Sequence, residues 1–173
     1  MMEIAWKKLS LEGFANYGAY ANMINPVGPH LGADPIEFFR DRVQSQLGAT
    51  TLASFGVCRV VQRPFVMDVS EYHDTCCEVV MPLDGDVLMH VAPAVPEREF
   101  PFDLAEVFFV PKGTLCCLRP WVWHHAPYAF GRLVGQPVVN CLIALPERTY
   151  MNDCKVYQFP VDRQLKIVGE GVR

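Results

Sequence analysis

The stretch Glu71-Tyr72-His73-Asp74-Thr75-Cys76-Cys77-Glu78-Val79-Val80-Met81-Pro82-Leu83-Asp84-Gly85 decides how this chain folds. Residues two apart on a strand project to the same face, so an extended segment here sends Glu71 and His73 into one cavity. Glu78 opens the next apolar run, and Pro82-Leu83-Asp84-Gly85 has the composition of a tight turn. A histidine and two carboxylates converging in this way can hold a divalent metal. Imidazole with carboxylate suits Zn, Mn, Ni or Fe.

Outward from this stretch the chain reads as short strands. Residues 51–62, 76–81, 87–92, 106–110, 115–118, 121–126, 138–145 and 155–159 are rich in Val, Ile, Phe, Tyr and Cys, with Pro and Gly between them. Many short strands with regular turn signals predict a sandwich or barrel, and eight strands fit a double-sheet jelly roll. Periodicity alone fits an immunoglobulin-like sandwich equally well. Before residue 50 the pattern differs. Ser10 is placed to cap a short helix with Glu12 in its first turn. Pro26, Gly28, Pro29 and Gly32 force a loop. Ile36, Phe39, Val43 and Leu47 have helical spacing, with Asp34 as N-cap and Pro35 in first position, which predicts a helix over 35–47. The expected organisation is therefore an N-terminal extension, 1–49, packed on a barrel formed by 50–173, as a single domain.

Composition narrows the function. Of 173 residues, 51% are hydrophobic and 20% charged, which is globular rather than disordered. A net charge of −4 with no basic stripe argues against nucleic acid as a partner. Residues 1–11 have no apolar core of a signal peptide, and the longest apolar run, 138–145, is too short to span a bilayer. The expectation is a cytoplasmic protein with no membrane partner. Its seven Cys are then reduced thiols, mostly small buried hydrophobes. There is no Cys-x-x-Cys pair to indicate a structural zinc site.

The pattern Glu71-x-His73-x4-Glu78-x6-Gly85 resembles the first motif of the cupin superfamily, with Glu in place of its first His. Pro120-Trp121-Val122-Trp123-His124-His125 resembles the end of the second cupin motif, where a His arrives on an opposing strand. The resemblance implies a cupin-type double-stranded β-helix, mainly β, with a helical and loop extension at its N-terminus. The implied metal ligands are Glu71, His73, Glu78 and His124. Strand alternation lets only one of His124 and His125 face the cavity, and the cupin pattern favours the first. Trp121, Trp123 and His125 then share the other face.

Three anchors are similar to the ureidoglycolate lyase family of cupins: residues 9–18, with Leu9, Glu12, Phe14, Tyr17 and Gly18; the block from Glu71 to Gly85; and Trp123-His124-His125-Ala126-Pro127. That resemblance implies cleavage of the C–N bond of ureidoglycolate to glyoxylate and urea. His125 or Tyr72 would transfer protons, and Arg59 or Arg119 would clamp the substrate carboxylate. The family commonly has Arg at the position of Tyr72 and Gln at that of Glu78. These departures favour a different metal-dependent cupin enzyme, an isomerase or oxygenase on a small oxygenated acid or sugar. A non-catalytic cupin that binds a small ligand is the third reading. The aromatic stretch 100–109, with Trp121 and Trp123, offers apolar surface for a homodimer.

Overall fold

A computed structural model describes residues 1–96, 99–131 and 138–169; residues 170–173, at the end of the expected barrel, lie outside these. The described strands are β1 Met2–Lys8, β2 Gly18–Asn22, β3 Leu31–Ala33, β4 Ile36–Phe38, β5 Ala53–Val61, β6 Val66–Met67, β7 Val69–Tyr72, β8 Glu78–Pro82, β9 Asp86–Ala92, β10 Glu106–Val110, β11 Thr114–Leu118, β12 Trp123–His124, β13 Tyr128–Phe130, β14 Val138–Pro146, β15 Lys155–Gln158 and β16 Leu165–Val168. Short helices α1 (Leu11–Phe14) and α2 (Thr149–Asn152) complete the elements used below.

Eight strands pair as a ribbon folded back on itself. First meets last: β5 with β14, β7 with β12, β8 with β11 and β9 with β10, all antiparallel. Pairing of β14 with β8 and of β12 with β9 then joins the ribbon into two sheets. This nesting defines a jelly roll, and the chain has a mainly β fold of the cupin type. The strands expected from residue 51 onward all form, most with ends within two residues of the reading.

The N-terminal segment does more than cover the barrel. β1 lies parallel between β10 and β16 in the larger sheet, and β2 extends the smaller one beside β11. Between them, α1 forms with its expected cap: Ser10 Oγ accepts from the Gly13 N–H at 3.0 Å. It drives Phe14 edge-on against Phe108, with centroids 5.3 Å apart. At the start of β2 the backbone runs so close to β11 that a Cβ on Gly18 would lie 1.9 Å from the Cys117 carbonyl oxygen. Gly18→Ala is therefore expected to destabilise the fold by about 1–3 kcal/mol, read as a lower urea midpoint with an unchanged slope.

The helix expected over 35–47 does not form. Asp34 and Pro35 turn the chain between β3 and β4, and residues 39–47 run as an irregular strap. A short helix needs tertiary packing of its apolar face, and the strap instead offers single residues. Val43 packs on Cys77, Val79 and Cys117, while the Gln46 carbonyl accepts from the Cys77 N–H at 2.9 Å.

Apolar clusters lie on both faces of the larger sheet. Met89, Val91 and Phe108 fill the barrel with Leu118 and Val139. Tyr72, Trp123, Phe100, Phe102 and Phe159 pack outside it with Leu88 and Val107. The aromatics expected at a dimer interface are thus mostly internal: Phe100, Phe102, Phe108 and Trp123 are buried, and Trp121 alone among the named pair is exposed. Among the described residues no helix is long and apolar enough to cross a membrane.

Candidate functional site

Strand register carries the site residues into the barrel mouth. His124 on β12 stands opposite Glu71 on β7 and Val91 on β9, so its side chain shares their inner face. Trp123 stands opposite Ala92 and points outward. His73 lies just past the end of β7, and Glu78 opens β8 after the 74–77 turn. That turn is pinned by Asp153, which follows α2. Its carboxylate accepts from the N–H groups of Asp74 and Thr75, both at 2.9 Å, and from the Thr75 hydroxyl. Lys155 Nζ sits 3.5 Å from Asp74 and 3.6 Å from Asp153.

Glu78, His73 and His124 form a buried triad. Glu78 Oε2 is 2.8 Å from His73 Nε2 and 3.1 Å from His124 Nε2. The far nitrogens face backbone carbonyls: His73 Nδ1–H donates to Asp153 O and His124 Nδ1–H to Val122 O. A carbonyl only accepts, so both Nδ1 atoms are protonated and both Nε2 atoms face Glu78. Two Nε2 atoms around one carboxylate oxygen are an arrangement in which a cation can be shared. Glu71, His73 and His124 also each offer a ligand atom within 4.8 Å of the others. Two anchored imidazoles and two carboxylates fit a divalent metal of the Zn, Mn, Ni or Fe type.

The charges support one another. Burial alone would raise the Glu78 pKa, but the imidazoles of His124 and His73 hold it down at about 2. Burial opposes a charge on His124, yet Glu78 raises its pKa above the ordinary value. His125 goes the other way. Burial lowers its pKa, with Arg63 and His124 adding to the effect against Glu71.

Glu71, His73, Glu78 and His125 line a half-open cavity of about 190 Å³ together with the apolar side chains of Val80, Ile143 and Leu145. His125 lines this cavity and His124 meets Glu78 at 3.1 Å, so the pair is not divided between the inner and outer faces as alternation predicts. The reason is local: β12 ends at His124, so His125 is free of the pleat. The outer face is covered by the chain's own Phe100 and Tyr157 around Trp123.

The other expected residues lie elsewhere. Tyr72 is buried on the outer face, stacked on Trp121 with centroids 5.3 Å apart, and is no candidate for proton transfer in this cavity. Arg59 is exposed on β5. Arg119 donates to the Ala15 carbonyl at 2.7 Å and lines a separate cleft of about 700 Å³ beneath the strap. Sequence reasoning missed Asp153, which no motif spacing ties to His73. It also missed Cys154, whose thiol donates to Glu71 Oε2 at 3.1 Å. Burial, then that bond, holds the thiol pKa up at about 12, so Cys154 is a neutral donor. Arg63 approaches from the rim, where its guanidinium is spent on the carbonyls of Ala126 and Pro127, at 2.8 and 3.0 Å.

No family model and no curated protein matches the sequence. Among solved structures the chain is similar to a dTDP-sugar isomerase from Desulfovibrio desulfuricans G20, with 14% identity, TM-score 0.47 and coverage of 78% of this chain and 81% of that one. It is similar also to a 3,4-ketoisomerase mutant from Thermoanaerobacterium thermosaccharolyticum solved with TDP-4-keto-6-deoxyglucose, with 13% identity, TM-score 0.44 and coverage of 81% and 86%. A third is the dTDP-6-deoxy-D-glucose-3,5-epimerase of Legionella pneumophila, with 11% identity, TM-score 0.38 and coverage of 80% and 69%.

Proposed function

We propose that this chain is a metal-dependent cupin enzyme that moves a proton within a small oxygenated acid or sugar, an isomerase. One observation carries the reading: His125, with a lowered pKa, lines the same small cavity as His73, Glu71 and Glu78, and Glu78 in turn meets His124 at 3.1 Å. His73, His124, Glu78 and Glu71 would hold the cation. When bound, it supplies a Lewis acid that polarises a carbonyl or hydroxyl oxygen of the substrate. His125 is neutral near pH 7 and accepts the proton from the carbon beside that carbonyl. The imidazolium so formed then returns the proton to the former carbonyl carbon, while the hydroxyl proton on the first carbon passes to the former carbonyl oxygen. Val80, Ile143 and Leu145 give the cavity an apolar side, and its volume of about 190 Å³, below the usual size of drug-like sites, suits a small molecule.

Cleavage of ureidoglycolate has less support. Among the described residues no guanidinium is free in this cavity to hold its carboxylate, and Tyr72 faces away. The test is proton exchange in D2O on a panel of small hydroxyaldehydes, ketoses and hydroxy acids, with ureidoglycolate included, followed by NMR. The metal-loaded protein should wash deuterium into one substrate class. His125→Ala should slow that exchange by about 10²–10⁴-fold while retaining the metal. Equal exchange in wild type and His125→Ala would overturn the assignment of the base. Urea release from ureidoglycolate without exchange on any other substrate would return the lyase to first place.

A further inference from the structure

The arm formed by β3 and β4 is paired to itself alone among the described strands. In its register Leu31 opposes Phe38 and Ala33 opposes Ile36, while Gly32 opposes Glu37. Opposed residues share a face, so one side of this hairpin carries only Leu31, Ala33, Ile36 and Phe38. That side is open to solvent, with Leu31, Ile36 and Phe38 at 50%, 76% and 61% exposure. The other side holds Glu37 and its ion pair with His30 at 3.4 Å. An isolated two-stranded hairpin is marginal in water, and an amphipathic one needs a surface for its apolar face.

The same chain has a bare apolar surface of the right kind. β5 is the edge strand of the smaller sheet. Cys58 and Val60 of β5 pack against the barrel core, so Phe55, Val57, Arg59 and Val61 point outward. Phe55 and Val57 are 71% and 63% exposed. Their cross-strand partners Ala144 and Leu142 on β14 continue the patch. Among the described residues the strap packs on this sheet through Val43, beside Cys77, Val79 and Cys117, while Phe55 and Val57 of β5 stay exposed. Charge matches as well: Arg59 stands in the patch with no acid on β5 or β14, and Asp34 sits in the turn of the arm.

We infer that the β3–β4 arm of one copy seats on the β5–β14 face of a second copy, and that the two copies exchange arms about a two-fold axis. A closed pair of this kind covers both apolar faces of both chains with one kind of contact. The outward Arg59, unused by the catalytic cavity, then belongs to the interface.

Light scattering on the full chain at micromolar concentration should give about 39 kDa, twice the 19.5 kDa of one chain. Amide exchange should be slow in residues 31–38. Phe55→Asp with Val57→Asp, both at exposed positions, should give monomers and speed exchange in the arm by at least about tenfold, while β9 and β10 stay protected as a control on folding. Ile36→Asp with Phe38→Asp should also give monomers. A monomeric wild type overturns the inference. So does a dimer whose arm exchanges freely, or one that survives the arm substitutions, since the sheet face would then pair without the arm.

Discussion

Replacing His73 with alanine is expected to strip the metal from the protein and lower turnover by more than about 100-fold. The effect is large because His73 serves two structures at once. Its Nε2 faces Glu78 in the cavity, and its Nδ1–H is fixed by the Asp153 carbonyl. Without the ring, Glu78 keeps only His124 as a partner in a buried site, so its pKa should climb from about 2 toward the usual carboxylate range. Loss of a buried polar partner should also cost about 1–3 kcal/mol of stability. Elemental analysis of protein purified without added metal, beside the D2O exchange rate, checks the first part, and urea unfolding checks the second. Full metal content in His73→Ala would remove this histidine from the ligand set. A wild type that retains no metal would instead leave an acid–base site built on Glu78 and the two imidazoles.

The second large effect is expected at a residue outside the cavity. Asp153→Ala should destabilise the fold by about 2–4 kcal/mol, because three hydrogen bonds to the 74–75 turn are lost and two backbone N–H groups lose their acceptor. The same change loosens the link between His73 and Glu78, so metal affinity should fall by about 10–100-fold. Asp153→Asn, which keeps one acceptor oxygen, should fall between alanine and wild type. A positioning role also predicts a pH signature. Burial would raise the Asp153 pKa, but its hydrogen bonds in the turn hold it well below the ordinary 3.8. A depressed carboxylate pKa contributes stability above the unfolded-state value and loses it as pH falls through the folded value. Glu78 has the same sign, with a window from its ordinary 4.5 down to about 2. Urea midpoints should therefore fall steeply below about pH 4.5 in the wild type and less steeply in Asp153→Asn and Glu78→Gln. His124 has the opposite sign: its raised pKa adds stability at low pH that is lost as pH rises through the folded value. Identical acid limbs in all three proteins would show that the turn does not depend on the Asp153 charge.

Much of this architecture is written in local pattern. Runs rich in Val, Ile, Phe, Tyr and Cys between Pro and Gly turns mark β5, β8 to β12, β14 and β15, because such residues fit a packed, pleated surface and such turns end it. The strands that escaped, β1 to β4, β6, β13 and β16, are short or take their place from distant partners, as β1 does between β10 and β16. The 35–47 segment misled because four apolar residues at helical spacing say nothing about whether a surface exists to receive them. Here two of those positions meet different fates: Ile36 lies on the open face of the arm, and Val43 packs on the sheet.

The sequence by itself put Glu71 and His73 on one strand face by alternation, and its resemblance to the cupin motifs grouped them with Glu78 and the His124–His125 pair. Only the tertiary structure decided which groups surround them. It turned Tyr72 outward against Trp121, left Arg59 and Arg119 on other surfaces, and brought Asp153, Cys154 and Arg63 to the site. The physical reason is the range of each constraint. Alternation along a strand fixes which side chains share a face over a few residues. The contact of Asp153 with Asp74 spans 79 positions and exists because α2 packs on the 74–77 turn, a closeness that no local repeat encodes.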